Sequence, residues 1–348
     1  MPNASATHLT RRGILAAGGA LGLGAVLTAC GDDDAKSGGS GDGTAAAKSG
    51  PWSFKDDRGK TVELDKVPAN IVAFTGVAAA LWDYGVQVKG VFGPTTTKDG
   101  KPDVQAGDID VDKVTVLGNE WGKLNVEKYA ALAPELLVTT TFDTAGTLWS
   151  VPEESKDKIA KLAPSVAISV FDRQLTQPLQ RMWELAESLG ADMKAKKVTD
   201  AKAAFEKAAA RLRAAAKAKP EIRVLAGSAS AELFYVSGTN LSVDLEYFKA
   251  LGVNFVEPSE EAKKATGGWF ESLSWENVDK YPADIIIMDD RASTLQPADI
   301  TEGTWKQLPA VKAGQVIARS PEPILSYDKC TPLLDNLAEA IENAKKVG

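Results

Sequence analysis

Histidine is almost absent from this 348-residue sequence, and its one example is His8, near the N-terminus. The chain after that position therefore lacks the side chain that most often acts as a general base or as the middle member of a catalytic triad. Beyond residue 30 there is also no Gly-x-Ser-x-Gly turn and no phosphate-binding glycine loop. These absences argue against an enzyme, although a hydrolase that uses two carboxylates stays open because the 47 acidic residues allow many pairings.

Cysteine is nearly as scarce, with Cys30 and Cys330 as the two examples. Zinc and similar transition metals bind mainly through imidazole or thiolate groups, and downstream of Cys30 only Cys330 offers either. We therefore expect no protein-bound metal ion and no cofactor, so that any metal arrives already chelated. With one thiol left over, no internal disulfide can form, and stability must come from burial.

Runs of basic residues are missing too, and the formal charge of the chain is −7 at pH 7. An acidic protein without a basic patch is a poor nucleic-acid binder. We therefore expect no nucleic-acid partner.

The N-terminal segment has the features of an export signal. Arg11 and Arg12 precede an apolar stretch that ends at Cys30 and is too short and too rich in glycine and alanine for a transmembrane span. Thr10–Leu15 resembles a twin-arginine signal, and Leu27–Cys30 resembles a bacterial lipobox. Export by the Tat or by the Sec route stays open.

We predict that residues 1–29 are a signal peptide and that Cys30 becomes a lipidated N-terminus. Residues 30–51 are rich in Gly, Ser, Ala and Asp and should form a flexible tether. Cleavage before Cys30 would remove two arginines and no acid, which changes the formal charge to −9. The lipid would then hold the protein on the outer face of the cytoplasmic membrane.

From Trp52 onward, short apolar runs alternate with helical patterns, which predicts α/β lobes with partly parallel sheets. The predicted strands are Asn70–Phe74, Lys89–Phe92, Thr115–Leu117, Glu135–Thr140, Ser165–Phe171, Arg223–Gly227, Leu233–Val236, Asp284–Met288 and Gln315–Ala318. The predicted helices include Val77–Tyr84, Val126–Leu132, Glu153–Leu162, Pro178–Leu189 and Asp244–Leu251. We expect one lobe over residues 52–190 and a second over residues 219–348.

A long helical tract separates the two halves. Asp192–Ala218 contains no glycine or proline, and its apolar positions keep helical spacing. Such a helix would be about 40 Å long, at ~1.5 Å per residue. We predict a bracing helix over residues 191–218 between the lobes; a surface helix that belongs to one lobe is the alternative.

A weak internal repeat supports two related lobes. Glu127 lies eight residues before Glu135, which opens a predicted strand, and Glu276 lies eight residues before Asp284, which opens another. Asn125 and Ser274 are good N-cap residues, so Glu127 and Glu276 should each occupy a first helical turn, where the helix dipole alone would favour an acid.

Aromatic residues and arginines follow several predicted strands. In open α/β sheets, ligands bind at the carboxyl ends of the strands, so these side chains are candidates to line a cleft for a bulky, partly apolar and partly anionic ligand. The candidate contacts are Trp121, Phe142, Trp149, Phe171, Arg173, Trp269, Phe270, Arg291, Arg319 and Tyr327.

Each candidate also has a structural explanation. A tryptophan near a strand end is often a packing residue, as we expect for Trp52, Trp82, Trp183, Trp275 and Trp305. Arg173 can pair with the adjacent Asp172, and Arg291 can pair with Asp289 or Asp290. Tyr327 can face either the cleft or the core.

The chain resembles a known family at this point. A lipobox, a tether, two lobes and one bracing helix are similar to the substrate-binding lipoproteins of bacterial ABC importers for iron–siderophore complexes and cobalamin. The segments that carry the resemblance are Lys66–Val72, Asn125–Val138 and Trp305–Val316.

The resemblance implies two Rossmann-like lobes joined by a single long helix, with the ligand between them, which is the class III periplasmic-binding-protein fold. It implies a monomer without enzymatic activity. It also implies that Glu127 and Glu276 dock onto arginines of the permease, and that aromatics and arginines hold a ferric chelate whose iron stays on the siderophore.

Three candidate arginines in an acidic protein fit a hydroxamate siderophore better than a strongly anionic catecholate. The leading hypothesis is therefore a receptor for a hydroxamate-type ferric siderophore. A catecholate siderophore, cobalamin or haem on the same fold is the first alternative. An envelope hydrolase and a scaffold lipoprotein are the others.

Overall fold

Short apolar runs form the buried strands of the first lobe, as the sequence predicts. The computed structural model describes residues 50–348; the predicted signal peptide, Cys30 and nearly all of the predicted tether lie outside the described residues. The strands are β1 (Trp52–Lys55), β2 (Thr61–Leu64), β3 (Ile71–Phe74), β4 (Gly90–Phe92), β5 (Thr115–Gly118), β6 (Leu136–Thr141) and β7 (Ser165–Ser169). The helices are α1 (Thr75–Asp83), α2 (Val126–Ala131), α3 (Lys156–Leu162) and α4 (Thr176–Ser188).

The sheet of this lobe has five parallel strands in the order β5-β4-β3-β6-β7. Every residue of β3 and β6 is buried. The sequences of these strands are therefore continuous runs of apolar residues or threonine, without alternation of apolar and polar residues. Strands β1 and β2 form a separate antiparallel hairpin that the sequence did not reveal.

The second half of the chain forms another α/β lobe. Its strands are β8 (Arg223–Ala229), β9 (Leu233–Ser237), β10 (Asn254–Phe255), β11 (Phe270–Ser274), β12 (Ile285–Asp289) and β13 (Val316–Arg319). The remaining helices are α5 (Lys196–Ala218), α6 (Val243–Ala250), α7 (Glu260–Lys263), α8 (Gly303–Gln307), α9 (Pro309–Lys312) and α10 (Tyr327–Asn343).

The sheet of this lobe is mixed, with the strand order β11-β9-β8-β12-β13 and with β10 also paired to β8. Strands β8, β10, β12 and β13 are parallel, whereas β9 is antiparallel to both of its neighbours, β8 and β11. The buried and half-buried residues of β9 alternate, as expected of a strand with one side toward the core.

One long helix, α5, joins the two lobes, and a second helix, α10, lies beside it. Helix α5 has 23 residues, about 34 Å at ~1.5 Å per residue, and leads from the first sheet to the second. Helix α10 packs along α5, and Arg211 of α5 bonds to Asp335 and Glu342 of α10. The first turn of α10 contacts the first lobe, where Ser326 Oγ donates to Asp83 Oδ2 at 2.5 Å. Its last turn reaches the second lobe, where Lys219 Nζ donates to the Glu342 carbonyl.

One apolar core continues through both lobes. It extends from the first sheet across α1, α4, α5 and α10 to one face of the second sheet. Phe205 of α5 belongs to this core and packs against Tyr247 at 5.9 Å and Tyr327 at 5.3 Å between ring centroids. A smaller cluster, which includes Trp275 and Trp305, covers the opposite face of the second sheet. A shared core of this kind resists large rigid-body movement of one lobe against the other.

The two acids of the internal repeat have the same structural task. Glu135, before β6, accepts hydrogen bonds from the backbone N–H groups of Ala69 and Asn70, immediately before the neighbouring strand β3. Asp284, before β12, accepts one from Arg223, which opens the neighbouring strand β8. Each acid thus fixes the start of one central strand pair in its own lobe.

Hydrogen bonding keeps both carboxylates ionised. The backbone donors Asn70 and Ala69, with Lys66, lower the pKa of Glu135 to about 2. Burial acts to raise the pKa of Asp284, but Lys346 and the N–H groups of Arg223, Gly348 and Val347 outweigh it and bring that pKa to about 2 as well.

We expect Asp284→Asn to lower the free energy of unfolding by about 2 kcal/mol at pH 7, because the native pKa lies below the unfolded value of 3.8. This contribution is complete above about pH 5 and is lost progressively as the pH falls toward 2. Urea unfolding of the wild type and of Asp284→Asn at pH 7, 4 and 3 should show that the difference between their free energies of unfolding becomes smaller as the pH falls. Glu135→Gln is the matched control and should lose less, since its side chain is 27% exposed. A constant difference at all three pH values would contradict the assignment.

Candidate functional site

A cavity of about 500 Å³ lies between the two lobes, and we call it the main cavity. The first lobe contributes the loop after β6, and the second lobe contributes the ends of β8, β12 and β13 and the start of β11. Carboxyl ends of parallel strands thus meet there, as in other open α/β sheets that bind ligands. Its volume suits a small organic ligand.

Aromatic rings from both lobes form one wall of the main cavity. Phe142 and Trp149 of the first lobe have ring centroids 4.5 Å apart, and Phe142 lies 6.3 Å from Trp269 of the second lobe. Gly267 and Gly268 both have positive φ angles, which only glycine adopts without strain, and this turn delivers Trp269 to the cavity. Phe270 also lines the cavity and packs edge-on against Tyr235.

Arg291 lines the main cavity but is not a free cation. Its Nη2 donates to Asp289 Oδ2 at 2.6 Å, and its Nη1 donates to Glu322 Oε1 at 2.6 Å. The guanidinium also stands 5.7 Å from the ring of Trp121. The pairing with Asp289 that the sequence left open is therefore present, and the same side chain still faces the cavity.

Arg319 lines the main cavity and is held more tightly. Its Nε and Nη2 donate to the two carboxylate oxygens of Asp244 at 2.7 and 2.8 Å. Both residues are almost fully buried, so this bidentate pair fixes the guanidinium plane and leaves Nη1 without a bond to Asp244.

Glu322 was missed by the sequence analysis and lies at the centre of the site. It stands between Pro321 and Pro323, in the segment that leads from β13 back to the first lobe. Its carboxylate accepts from Arg291 of the second lobe and from Trp149 Nε1 of the first lobe, the latter at 3.2 Å. Burial raises the pKa of Glu322, and the neighbouring Arg291 opposes that rise.

The charges around the main cavity sum to a negative value. Two arginines face three carboxylates, those of Asp143, Asp289 and Glu322, so the lining has a formal charge of −1. Ser228, Ser237 and Ser242 add hydroxyl groups without charge. The cavity is therefore apolar on one side, hydrogen-bonding on the other, and not basic overall.

Four predicted contacts lie outside the lining. Trp121 stands behind Arg291, and Phe171 and Arg173 are half-buried in the loop after β7. Arg173 does not pair with Asp172, and its Nε is buried without a hydrogen-bond partner among the described residues. Tyr327 is 7% exposed and packs in the core against Trp183 and Phe205, so we remove it from the candidate contacts.

The described residues contain one group of carboxylates close enough together to hold a metal ion, formed by Asp83, Asp108 and Asp328. Lys329 Nζ donates to Asp108 and Asp328 at 2.7 and 3.1 Å, so an internal cation already pairs with two of these three carboxylates. It lies at the start of α10, outside the main cavity.

Comparison with known proteins identifies the family. A family model described as periplasmic binding protein matches residues 71–323. The chain belongs to the periplasmic binding protein family. The solved structure of DesE, a ferric-siderophore receptor protein from Streptomyces coelicolor, is 95% identical, covers 85% of this chain and 100% of its own, and has a TM-score of 0.85. No curated protein sequence matches the chain.

More distant structures are similar in fold alone. The siderophore periplasmic binding protein from the fuscachelin gene cluster of Thermobifida fusca is 21% identical over 79% of this chain and 96% of its own, with a TM-score of 0.56. Staphylococcus aureus SirA complexed with staphyloferrin B is 20% identical over 84% and 99%, with a TM-score of 0.59. The family and the two-lobed α/β fold predicted from the sequence are confirmed.

Glu127 and Glu276 of this periplasmic binding protein are both exposed, one on each lobe, and have no ion-pair partner among the described residues. Asn125 caps α2 through a bond from Lys128 N at 2.9 Å, which places Glu127 in the first turn as expected. Glu276 lies in a 3₁₀ helix, Trp275–Lys280, where Ser274 gives no side-chain cap and instead accepts from Asn277. No helix within residues 50–348 has the length and apolarity needed to cross a bilayer.

We expect Arg319→Met to lower the free energy of unfolding by about 3–5 kcal/mol, because it leaves the carboxylate of Asp244 buried without its counter-ion. The double variant Arg319→Met with Asp244→Leu should recover most of that loss. Arg291→Met is the control and should cost less, since Asp289 and Glu322 keep other donors. Urea unfolding at pH 7 measures all three. A cost below ~1 kcal/mol for Arg319→Met would show that the pair does not hold the guanidinium.

Proposed function

We propose that this protein captures a ferric siderophore outside the cell and delivers it to an ABC permease. The main cavity supports this proposal, because its aromatic wall and ordered arginines suit an organic chelate with exposed oxygens. DesE, with 95% identity, is a ferric-siderophore receptor protein. The protein would act as a binding component without catalysis.

The siderophore is proposed to be of the hydroxamate type. Three hydroxamates balance the charge of Fe(III), whereas three catecholates leave an excess of three negative charges. The lining of the main cavity is itself negative, and both of its arginines are already paired with carboxylates. A neutral or cationic complex enters such a cavity with less repulsion than a strongly anionic one.

The iron would stay on the siderophore. The described chain offers no imidazole, and its thiol, Cys330, is fully buried in the core away from the cavity. Burial raises the pKa of that thiol, so it stays protonated and is a poor metal ligand. Protein contacts would therefore reach the organic shell and the chelating oxygens rather than the ion.

Membrane attachment is proposed through a lipid on Cys30, on the outer face of the cytoplasmic membrane. The lipobox-like Leu27–Cys30 supports it, together with the polar segment that follows up to Trp52. Glu127 and Glu276 are proposed to meet cationic residues of the permease, because both carboxylates are exposed and without an ion-pair partner among residues 50–348.

A ferric trihydroxamate should quench the tryptophan fluorescence of residues 52–348 in a saturable way, because Trp149 and Trp269 line the main cavity. The iron-free form, a ferric catecholate and cobalamin should bind at least tenfold more weakly. Trp269→Ala should weaken binding of the trihydroxamate about tenfold, or ~1.4 kcal/mol. Trp82→Phe, a change on α1 outside the cavity, is the control and should bind normally. Saturable binding of cobalamin or of the catecholate alone would reassign the ligand, and no binding of any would refute the proposal.

Replacing both exposed glutamates should separate binding from transport. The double variant Glu127→Ala with Glu276→Ala should keep its affinity for the ferric trihydroxamate within twofold, since neither residue lines the main cavity. Uptake of radiolabelled iron by cells that carry only this variant should fall at least tenfold. The matched control replaces Glu63 and Glu221, which are also exposed, one before and one after the bracing helix. Normal uptake by the first double variant would remove the docking assignment and leave the ligand assignment intact.

A further inference from the structure

A second cavity of about 130 Å³ lies beside the main cavity, and we call it the side cavity. Arg291 and Glu322 line both cavities. This ion pair, with Nη1 and Oε1 2.6 Å apart, is therefore part of the partition between the two spaces. The remaining lining of the side cavity comes from the 3₁₀ turn Val104–Ala106, the segment after β13 and the start of α10.

Gln105 is the exceptional residue of the side cavity. Its side chain is buried, with 3% of its surface exposed. The amide lies near Glu322, but neither Oε1 nor Nε2 forms a hydrogen bond to any of the described residues. A buried amide without partners is unfavourable for folding, because it has given up its bonds to water. The backbone does not explain why a glutamine stands here, because its only role is the hydrogen bond from Gln105 N to Asp103, which does not depend on the side chain.

The other polar groups of the side cavity are already engaged. Lys329 Nζ is bound by Asp108 and Asp328, and Ser320 Oγ donates to Asp290 at 2.7 Å. The polar atoms of this lining that remain without a hydrogen-bond partner are thus the amide nitrogen and the amide oxygen of Gln105, a donor group and an acceptor group. An amide, which carries the same two functions, is the neutral group that complements it.

We propose that the side cavity receives an amide-bearing arm of the bound siderophore, and that Gln105 is the residue that selects for this arm. The proposal rests on the function proposed above. In this proposal the main cavity holds the ferric chelate, and the side cavity binds a substituent of the chelator.

Opening the partition leaves neither charge alone. Arg291 keeps Asp289, which also accepts from its backbone N–H, and Glu322 keeps the N–H of Trp149. Separation of the pair therefore leaves the guanidinium of Arg291 with a counter-ion and the carboxylate of Glu322 with one neutral donor. A chelate oxygen in the main cavity can then take the place of Glu322 on Nη1 of Arg291.

Three ferric complexes with the same trihydroxamate core test the proposal. Ferrioxamine B ends in an ammonium arm, its N-acetyl derivative ends in an amide arm, and the cyclic ferrioxamine E has no free arm. By fluorescence titration we expect the wild-type protein to bind the acetylated complex about tenfold more tightly than the cyclic one. Gln105→Met, which keeps the length of the side chain, should abolish that preference and leave the affinity for the cyclic complex within twofold.

The control variant is Gln87→Met, an exposed glutamine of the same lobe, which should retain the preference. The melting temperature of Gln105→Met should equal or exceed that of the wild type, because no bond to the amide is lost, so misfolding cannot explain the result. Equal binding of the three complexes by the wild type would overturn the proposal and indicate that Gln105 meets ordered water only. A preference for the ammonium arm would overturn it too. Failure of all three to bind, by contrast, would refute the proposed function itself.

Discussion

The continuous core between the lobes is the constraint on which the site depends. Helices α5 and α10 are buried against each other, against the first lobe and against one face of the second sheet. A movement that separated the lobes widely would expose this apolar surface to water, at ~25 cal/mol for each Å². The width of the main cavity is therefore largely set before a ligand arrives, and little binding energy is needed to order the site.

A fixed frame allows charges to be buried in the cleft. Arg319 and Asp244 come from elements 75 residues apart, yet they meet in a bidentate pair that is almost fully buried. Such a pair adds little net stability, since its desolvation offsets most of its attraction. What it provides is orientation: a guanidinium with one nitrogen not engaged by the carboxylate, held at the edge of the main cavity. The same reasoning applies to Arg291, which is clamped between Asp289 and Glu322.

The sequence predicted the parts of the fold that depend on local pattern. All nine predicted strands are present within about two residues. Most of them are buried parallel strands, which are short apolar runs whatever they pair with. The bracing helix was found from an uninterrupted helical period. The hairpin of β1 and β2 was missed because buried and exposed residues alternate in its strands, so that neither forms an apolar run. Helix α10 was missed because Pro332 lies within it.

Residues of the candidate site were predictable from the sequence only where their position at the end of a strand brings them to the cavity. Phe142 follows β6 and Arg319 ends β13, and the strand-end rule placed both in the cleft, whereas Trp269 lies there although it comes immediately before β11. Tyr327 obeys no such rule: it begins a helix, and its ring meets Phe205 of α5, more than a hundred residues away. Glu322 was overlooked because a charged residue between two prolines reads as an exposed loop. Its burial follows from the path of the chain back to the first lobe, which no local pattern records.

That path also links binding to the joint between the lobes. The segment from Arg319 to Ser326 is at once a wall of both cavities and a covalent connection from the second sheet to the first lobe. A ligand that displaces Glu322 from Arg291 would thus act directly on this connection, whereas Glu127 and Glu276 lie on the surfaces of the two lobes that it joins. The shared core permits only small movements of the lobes. The proposed permease would therefore recognise a small shift in the positions of the two glutamates rather than a large closure of the lobes.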